Sequence, residues 1–189
     1  MTPAAGQDLV ANGLAFNSEG DLFIIDTARG ALWNADFDEH GELKSPTGWD
    51  STFTANTLCL SNVVVAHPIL ESGDGIILDR AENIWVDANE RNAIALISKR
   101  GGVFEVFRNP VNASGLRSSA DPSVGNNHIL EFPSSPYLNG TVFCTANFDI
   151  DRRDNSPASA GEANGRTVLG KVSCMDQQAV IPGLPLPVR

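Results

Sequence analysis

The chain is short of the residues that mark most specialised protein classes. Its 189 residues include three cysteines, one tyrosine and 13 basic side chains against 23 acidic ones. Three cysteines cannot build a disulfide framework or a four-ligand zinc site, although Cys144 and Cys174 fall in candidate strands of one unit and can pair, leaving Cys59 free. A net charge of −10 repels nucleic acid and anionic lipid, so neither is an expected partner, and it favours cations. No apolar run approaches the roughly 18 residues of a membrane helix. The opening Met1-Thr2-Pro3-Ala4-Ala5-Gly6 has neither the basic nor the apolar region of a signal peptide, so a soluble protein without encoded export is expected, its compartment open.

Several catalytic signatures are also missing. There is no Gly-x-Ser-x-Gly elbow, His-Glu-x-x-His, Walker loop or dinucleotide fingerprint, which disfavours nucleophilic serine chemistry. The acidic stretch Asp149-Ile150-Asp151-Arg152-Arg153-Asp154-Asn155 fails as an EF-hand, because Asp154 and Ala160 stand where that loop needs Gly and a bidentate Glu.

What the chain does have is an internal repeat. Asn12-Gly13-Leu14-Ala15-Phe16 returns 62 positions later as Asp74-Gly75-Ile76-Ile77-Leu78, Leu22-Phe23-Ile24 as Ile84-Trp85-Val86, and Arg29-Gly30-Ala31-Leu32 as Arg91-Asn92-Ala93-Ile94. Each copy runs from an oxygen-bearing side chain and a glycine into short apolar strands separated by polar turns. Such a unit cannot bury its own faces and must stack on copies of itself. A third, looser copy opens at Asn127-His128-Ile129-Leu130-Glu131-Phe132 and continues at Thr141-Val142-Phe143-Cys144-Thr145, with Pro133-Ser134-Ser135-Pro136 read as an insertion.

These patterns predict strands over 13–16, 22–26, 31–36 and 49–53 in the first unit, and 75–78, 84–87, 93–97 and 103–107 in the second. The run 62–68 is an extra strand or a covering loop, and 168–172 a late strand of the third unit. Phe16, Leu22, Ile24, Leu78, Ile84, Val86, Ile94 and Val142 are the expected core. The fold class is all-β: a fragment of a β-propeller with about three four-stranded antiparallel blades, approximately 12–60, 74–108 and 127–180, without a linker dividing domains. Three blades do not close a ring, so self-association through the open propeller edges is expected.

Residues heading the innermost strands gather at one end of a propeller's channel. Asn12 and Asp74 occupy that place, with Asn126 or Asn127 as the third candidate. Convergent carboxylate and amide oxygens suit a hard divalent cation, and a sparse ligand set leaves room for water and substrate. Asn-Gly and Asp-Gly are also common turn dipeptides, and only their shared register raises them above that reading. Arg29 and Arg91 recur as well, in positions that suit turns. His67 and His128 suit packing or turns, and His40 has no assigned role.

The motifs Ala11-Asn12-Gly13-Leu14-Ala15-Phe16-Asn17 with Asp26-Thr27, and Gly73-Asp74-Gly75-Ile76 with Asn83-Ile84-Trp85-Val86, resemble the gluconolactonase/regucalcin (senescence marker protein) family of six-bladed propellers. The resemblance covers the chain as roughly the last three blades. It implies that Asn12 and Asp74 are metal ligands, and that Asp74 is also the general base. The implied activity is divalent-metal-dependent hydrolysis of a lactone of the sugar-lactone type, with Ca²⁺ as the first expectation and Mg²⁺, Mn²⁺ or Zn²⁺ as alternatives. The family's glutamate ligand and its substrate-contacting Arg and Asn belong to blades this sequence does not contain, so impaired activity is expected. The alternative from another class is a non-catalytic propeller module presenting loops to a protein or small-molecule ligand.

Overall fold

The computed structural model describes residues 10–35, 37–41, 62–109, 130, 132–148 and 171–177. Strands β1 (Ala11–Phe16), β2 (Leu22–Asp26), β3 (Ala31–Ala35) and β4 (Val63–Ala66) pair antiparallel in chain order. A second sheet repeats the arrangement with β5 (Gly73–Leu78), β6 (Ile84–Ala88), β7 (Ala93–Ile97) and β8 (Val103–Arg108). The third contains β9 (Pro133–Asn139), β10 (Val142–Asn147) and β11 (Lys171–Asp176). These are propeller blades, each a meander whose first strand lies innermost. The chain also forms 3₁₀ turns at Pro68–Leu70 and Asn89–Arg91, and among the described residues no helix is long and apolar enough to cross a membrane.

The 62-residue repeat holds down to individual pairs. Leu14 faces Ile24 and Phe16 faces Leu22, as Ile76 faces Val86 and Leu78 faces Ile84. The hairpins are tied in the same way with the chemistry exchanged. Asn17 Oδ1 accepts from the amides of Glu19 and Asp21, while Asn17 Nδ2 donates to Asp21 Oδ2. In the second copy the acid comes first: Asp79 Oδ1 accepts from the amides of Ala81 and Asn83, and Asn83 Nδ2 donates back to the carboxylate. Either order makes one amide-acid clasp, so the turn tolerates the swap.

Blade two is buried on both faces. Ile76, Leu78, Ile84, Val86, Ala95 and Ile97 pack with Ile25, Leu32 and Leu70 of the first unit. Trp85 and Ile94 face the other way, against Leu130, Leu138 and Phe143. Trp85 stacks on Phe143 with centroids 5.4 Å apart. A strand covered on both sides has no polar face, which is why β6 reads as a continuous apolar run broken only by Asp87.

Four expectations need correcting. Phe16, expected in the core, is 53% exposed, because its face of β1 looks away from blade two and no described strand covers it. Leu22, Ile24 and Val142 are only half-buried. The fourth strand of blade one is β4, within the 62–68 run and beyond the limit at residue 60; 49–53 lies outside the described residues. The opening strand of the third blade is β9, which contains the Pro133-Ser134-Ser135-Pro136 stretch read as an insertion. Proline is tolerated there because β9 pairs with β10 on one side only, and a missing N–H on the free edge costs no ladder bond. Cys144 and Cys174, directly opposed in β10 and β11, form a disulfide; Cys59 lies outside the described residues.

Candidate metal and catalytic site

The inner strands run side by side, β1 against β5 and β5 against β9. Glycine permits this contact. A β-carbon on Gly13 would lie 2.1 Å from the Asp74 carbonyl oxygen, and one on Gly75 would lie 2.2 Å from that of Ser134. These glycines therefore mark blade seams, since neither has the positive φ that a turn glycine would supply. Each inner strand also carries an irregularity at its head: between Ala11 and Leu14, between Gly73 and Ile76, and at Ser134, where the pairing of Pro133 with Asn147 shifts to Ser135 with Ala146. Bulges re-aim side chains and recur beside functional sites.

The same geometry identifies the third head. The residue whose carbonyl lies under the preceding blade's glycine is Asp74 at one seam and Ser134 at the next. Ser134 is thus the counterpart of Asn12 and Asp74, in place of Asn126 or Asn127, both of which lie outside the described residues with His128. Ser134 is buried, and its Oγ donates to the carbonyl of Ala146 at 3.4 Å.

Asn12 and Asp74 are neighbours across the seam, the Asn12 side chain near enough to the Asp74 carboxylate to favour its charged form. Each is also braced by the residue that follows the second strand of its own blade. Asn12 Nδ2 donates to Thr27 Oγ1 at 3.2 Å, and Asn89 Nδ2 donates to Asp74 Oδ2 at 3.1 Å. Thr27 Oγ1 in turn donates to the Gly73 carbonyl at 2.6 Å, linking the two blades directly beneath the pair. With its Nδ2 donating to Thr27, Asn12 has Oδ1 to offer a cation. The backbone position of Thr27 and Asn89 is filled in blade three by Phe148, whose N–H bonds to the Phe132 carbonyl and whose ring is 57% exposed.

Burial is the main influence on Asp74 and raises its pKa, with hydrogen bonds from Asn89 and Asn12 offsetting part of the shift. Behind it lies Asp87, fully buried on the side of β6 that faces blade three. Thr145 Oγ1 donates to Asp87 Oδ2 at 2.6 Å, whereas Oδ1 has no hydrogen-bond partner. Burial pushes the Asp87 pKa well up, the Thr145 bond opposes this, and the negative charge of Asp74 adds to it. Asp87, Thr145, Asn89 and Ser134 are site residues that the repeat alone does not reveal. The one available signal was an acidic residue inside the otherwise apolar Ile84-Trp85-Val86-Asp87-Ala88.

The other candidates have local roles. His67 caps the turn at Pro68–Leu70, its Nδ1 accepting from the Ile69 amide at 3.2 Å. Arg91 Nη1 donates to the Pro68 carbonyl at 3.0 Å, and Arg29 is buried against Asp26, Nε to Oδ2 3.8 Å. His40 is exposed beside Glu39.

The donor set fits a hard cation in kind, since a desolvated carboxylate and an amide oxygen share one blade seam. It falls short in number, because no group of three His, Cys, Asp or Glu side chains able to hold an ion occurs among the described residues.

Residues 3–115, more than half of the chain, match the SMP-30/gluconolactonase/LRE-like region family. The chain belongs to this family. A search of curated proteins gives no match. Among solved structures, it is similar to a luciferin-regenerating enzyme at 13% identity and TM-score 0.52, over 95% of this chain and 49% of that one. A calcium-binding protein, regucalcin, from Agrobacterium tumefaciens gives 15% identity and TM-score 0.49 over the same shares. Virginiamycin B lyase from Staphylococcus aureus gives 12% and 0.44, over 78% of this chain and 38% of that one. The chain thus spans about half or less of the length of these structures. At such identities the likeness to the luciferin-regenerating enzyme speaks for the fold alone.

Proposed function

We propose that the chain carries part of the site of a lactonase that depends on a divalent cation and hydrolyses a lactone of the sugar-lactone type. The observation that supports this reading is the contact between Asn12 and Asp74 at a seam of blades belonging to the SMP-30/gluconolactonase family. Asp74 and Asn12 would hold the cation, Ca²⁺ first and Mg²⁺, Mn²⁺ or Zn²⁺ as alternatives; when bound it would polarise the ring carbonyl.

Asp74 is the base in this reading. Desolvation makes its carboxylate a stronger proton acceptor than an ordinary aspartate, and the bond from Asn89 fixes its plane. It would take one proton from a water, whose oxygen attacks the lactone carbonyl, and the ring oxygen would leave with a proton as the hydroxy acid forms. Thr27 holds the Asn12 amide beside the carboxylate. The exposed Phe148 would offer apolar surface to the non-reacting part of the substrate. Titration calorimetry with the four cations, paired with a lactone hydrolysis assay, tests the proposal. Weak binding and slow turnover that Asp74→Asn and Asn12→Ala both reduce would support it. Hydrolysis or cation binding unaffected by either change would overturn it.

A further inference from the structure

The two seams inside the chain set Asn12, Asp74 and Ser134 in one series. A β-carbon on Gly13 would meet the Asp74 carbonyl and one on Gly75 that of Ser134, so Ser134 stands to Asp74 as Asp74 stands to Asn12. β9 also breaks its ladder at this point, as β1 and β5 do at their own heads. The three side chains differ in how firmly they are held. Thr27 braces Asn12 at 3.2 Å and Asn89 braces Asp74 at 3.1 Å. Ser134 Oγ reaches the Ala146 carbonyl at 3.4 Å, well beyond the roughly 2.7–2.8 Å usual for a hydroxyl donor, and that carbonyl also lies 3.1 Å from Thr145 Oγ1. Ser134 is only 6% exposed, and a hydroxyl buried with so weak a bond costs free energy unless another group takes up its hydrogen-bonding capacity.

We infer that Ser134 is the third group of the cation site, its hydroxyl oxygen taking a place in the shell of a divalent ion held by Asp74 and Asn12. A neutral oxygen suits a hard cation, and serine moves its oxygen among three staggered χ1 positions, so leaving the long bond to Ala146 costs little. The inference rests on the cation-binding part of the proposed function and adds blade three to it. It also answers the shortfall in ligand number, since three consecutive blades then contribute one oxygen-bearing side chain each. With Asp74 as the one charged member of the three, the site is weak. Its affinity should respond strongly to a charge added at the right place, because the affinity of such sites follows the count of charged ligands.

Titration calorimetry of the full chain with Ca²⁺ tests it. Ser134→Asp adds a carboxylate at the third head and should tighten binding by about tenfold or more, whereas Ser134→Ala should weaken it by about threefold. Without cation, Ser134→Asp should lower the melting temperature, because two desolvated carboxylates then share the seam, and Ca²⁺ should restore it. Ser135→Asp places the same charge on the exposed neighbour in β9 and should leave the affinity unchanged. Circular dichroism establishes that each variant keeps its sheet. Where Ser134→Asp does not fold, Ser134→Asn decides with Ser134→Ala: its amide oxygen matches that of Asn12 and should bind Ca²⁺ at least as well as serine does. The inference is overturned by a folded Ser134→Asp that binds no more tightly than the parent, by Ser135→Asp tightening binding equally, or by Ser134→Ala or Ser134→Asn departing from these directions. Asp74→Asn separates it from the wider reading. Loss of Ca²⁺ binding in Asp74→Asn with no effect of the Ser134 changes would sink this inference alone, and binding that survives Asp74→Asn would sink both.

Discussion

Gly13 and Asp74 meet backbone to backbone across the first blade seam, where a β-carbon on Gly13 would fall 2.1 Å from the Asp74 carbonyl oxygen. The partner atom is main chain and cannot swing aside. Gly13→Ala, and likewise Gly75→Ala against Ser134, should therefore lower stability by about 1–3 kcal/mol through overpacking. Gly20→Ala should act differently: Gly20 has φ +94° and open space around it, so its cost is backbone strain confined to a hairpin. Denaturant unfolding should show the loss, and cation titration should show that only the two seam variants disturb Asp74. Unchanged midpoints for both would mean that the inner strands are not so closely packed.

Asp74 is the residue on which the proposed chemistry turns. Asp74→Asn keeps the shape while removing the base and a ligand charge, and should reduce lactone turnover by about 10²- to 10⁴-fold. Because burial raises the Asp74 pKa while no cation is bound, the cation-free chain should show an Asp74 carboxyl that titrates above an ordinary aspartate when followed by NMR, and an added divalent cation should pull that titration down. Asn89→Ala removes a hydrogen bond that favours the charged form, so it should move the cation-free titration further up. A titration unmoved by Asn89→Ala would mean that this bond does not hold the carboxylate.

The blades and two of the three head residues were legible in the sequence because an ungapped repeat fixes register. Once Leu22–Asp26 and Ala31–Ala35 are strands, Ile84–Ala88 and Ala93–Ile97 follow. The third head was not legible. Ser134 lacks the following glycine, because Ser135 has no described inner strand pressing on it, and flanking prolines disguise an edge strand as a loop. Asp87 was hidden for another reason: its repeat counterpart is Ile25, so the pattern calls for an apolar residue, and only the packing of β6 against Thr145 gives the acid a partner. Burial of Phe16 failed as an expectation because period-two patterning tells which face a residue takes, not whether another sheet covers it.

The disulfide should stabilise blade three in particular. Cys144 and Cys174 are 30 residues apart in sequence, with the β10–β11 connection between them. Cross-linking a loop of that size contributes about 3–4 kcal/mol by restricting the unfolded chain. Cys144→Ser with Cys174→Ser, or reduction with a thiol, should lower the melting temperature and raise hydrogen exchange in Val142–Asn147 and Lys171–Asp176 before Gly73–Leu78. Uniform loss across all strands would show that the blades unfold as one unit.

Asp87 should be a burden on folding at neutral pH. Its folded pKa lies well above its ordinary value, so between the two the folded chain holds a proton that the unfolded chain has released. Stability therefore falls as pH rises through that window, and the full penalty is present above the folded pKa. Asp87→Asn preserves an acceptor for Thr145 Oγ1 while removing the charge from a site shared with the field of Asp74. It should stabilise the chain by about 1–3 kcal/mol at neutral pH, since a buried charge without a counterion costs more than a neutral isostere. The gain should shrink as pH falls through the raised pKa and vanish below the ordinary carboxylate range, where aspartic acid and asparagine are both uncharged. Urea unfolding of both chains across that range checks the sign. Destabilisation by Asp87→Asn at neutral pH would mean that the Asp87 charge has a favourable partner, and a gain independent of pH would mean that packing, not ionisation, separates the two side chains.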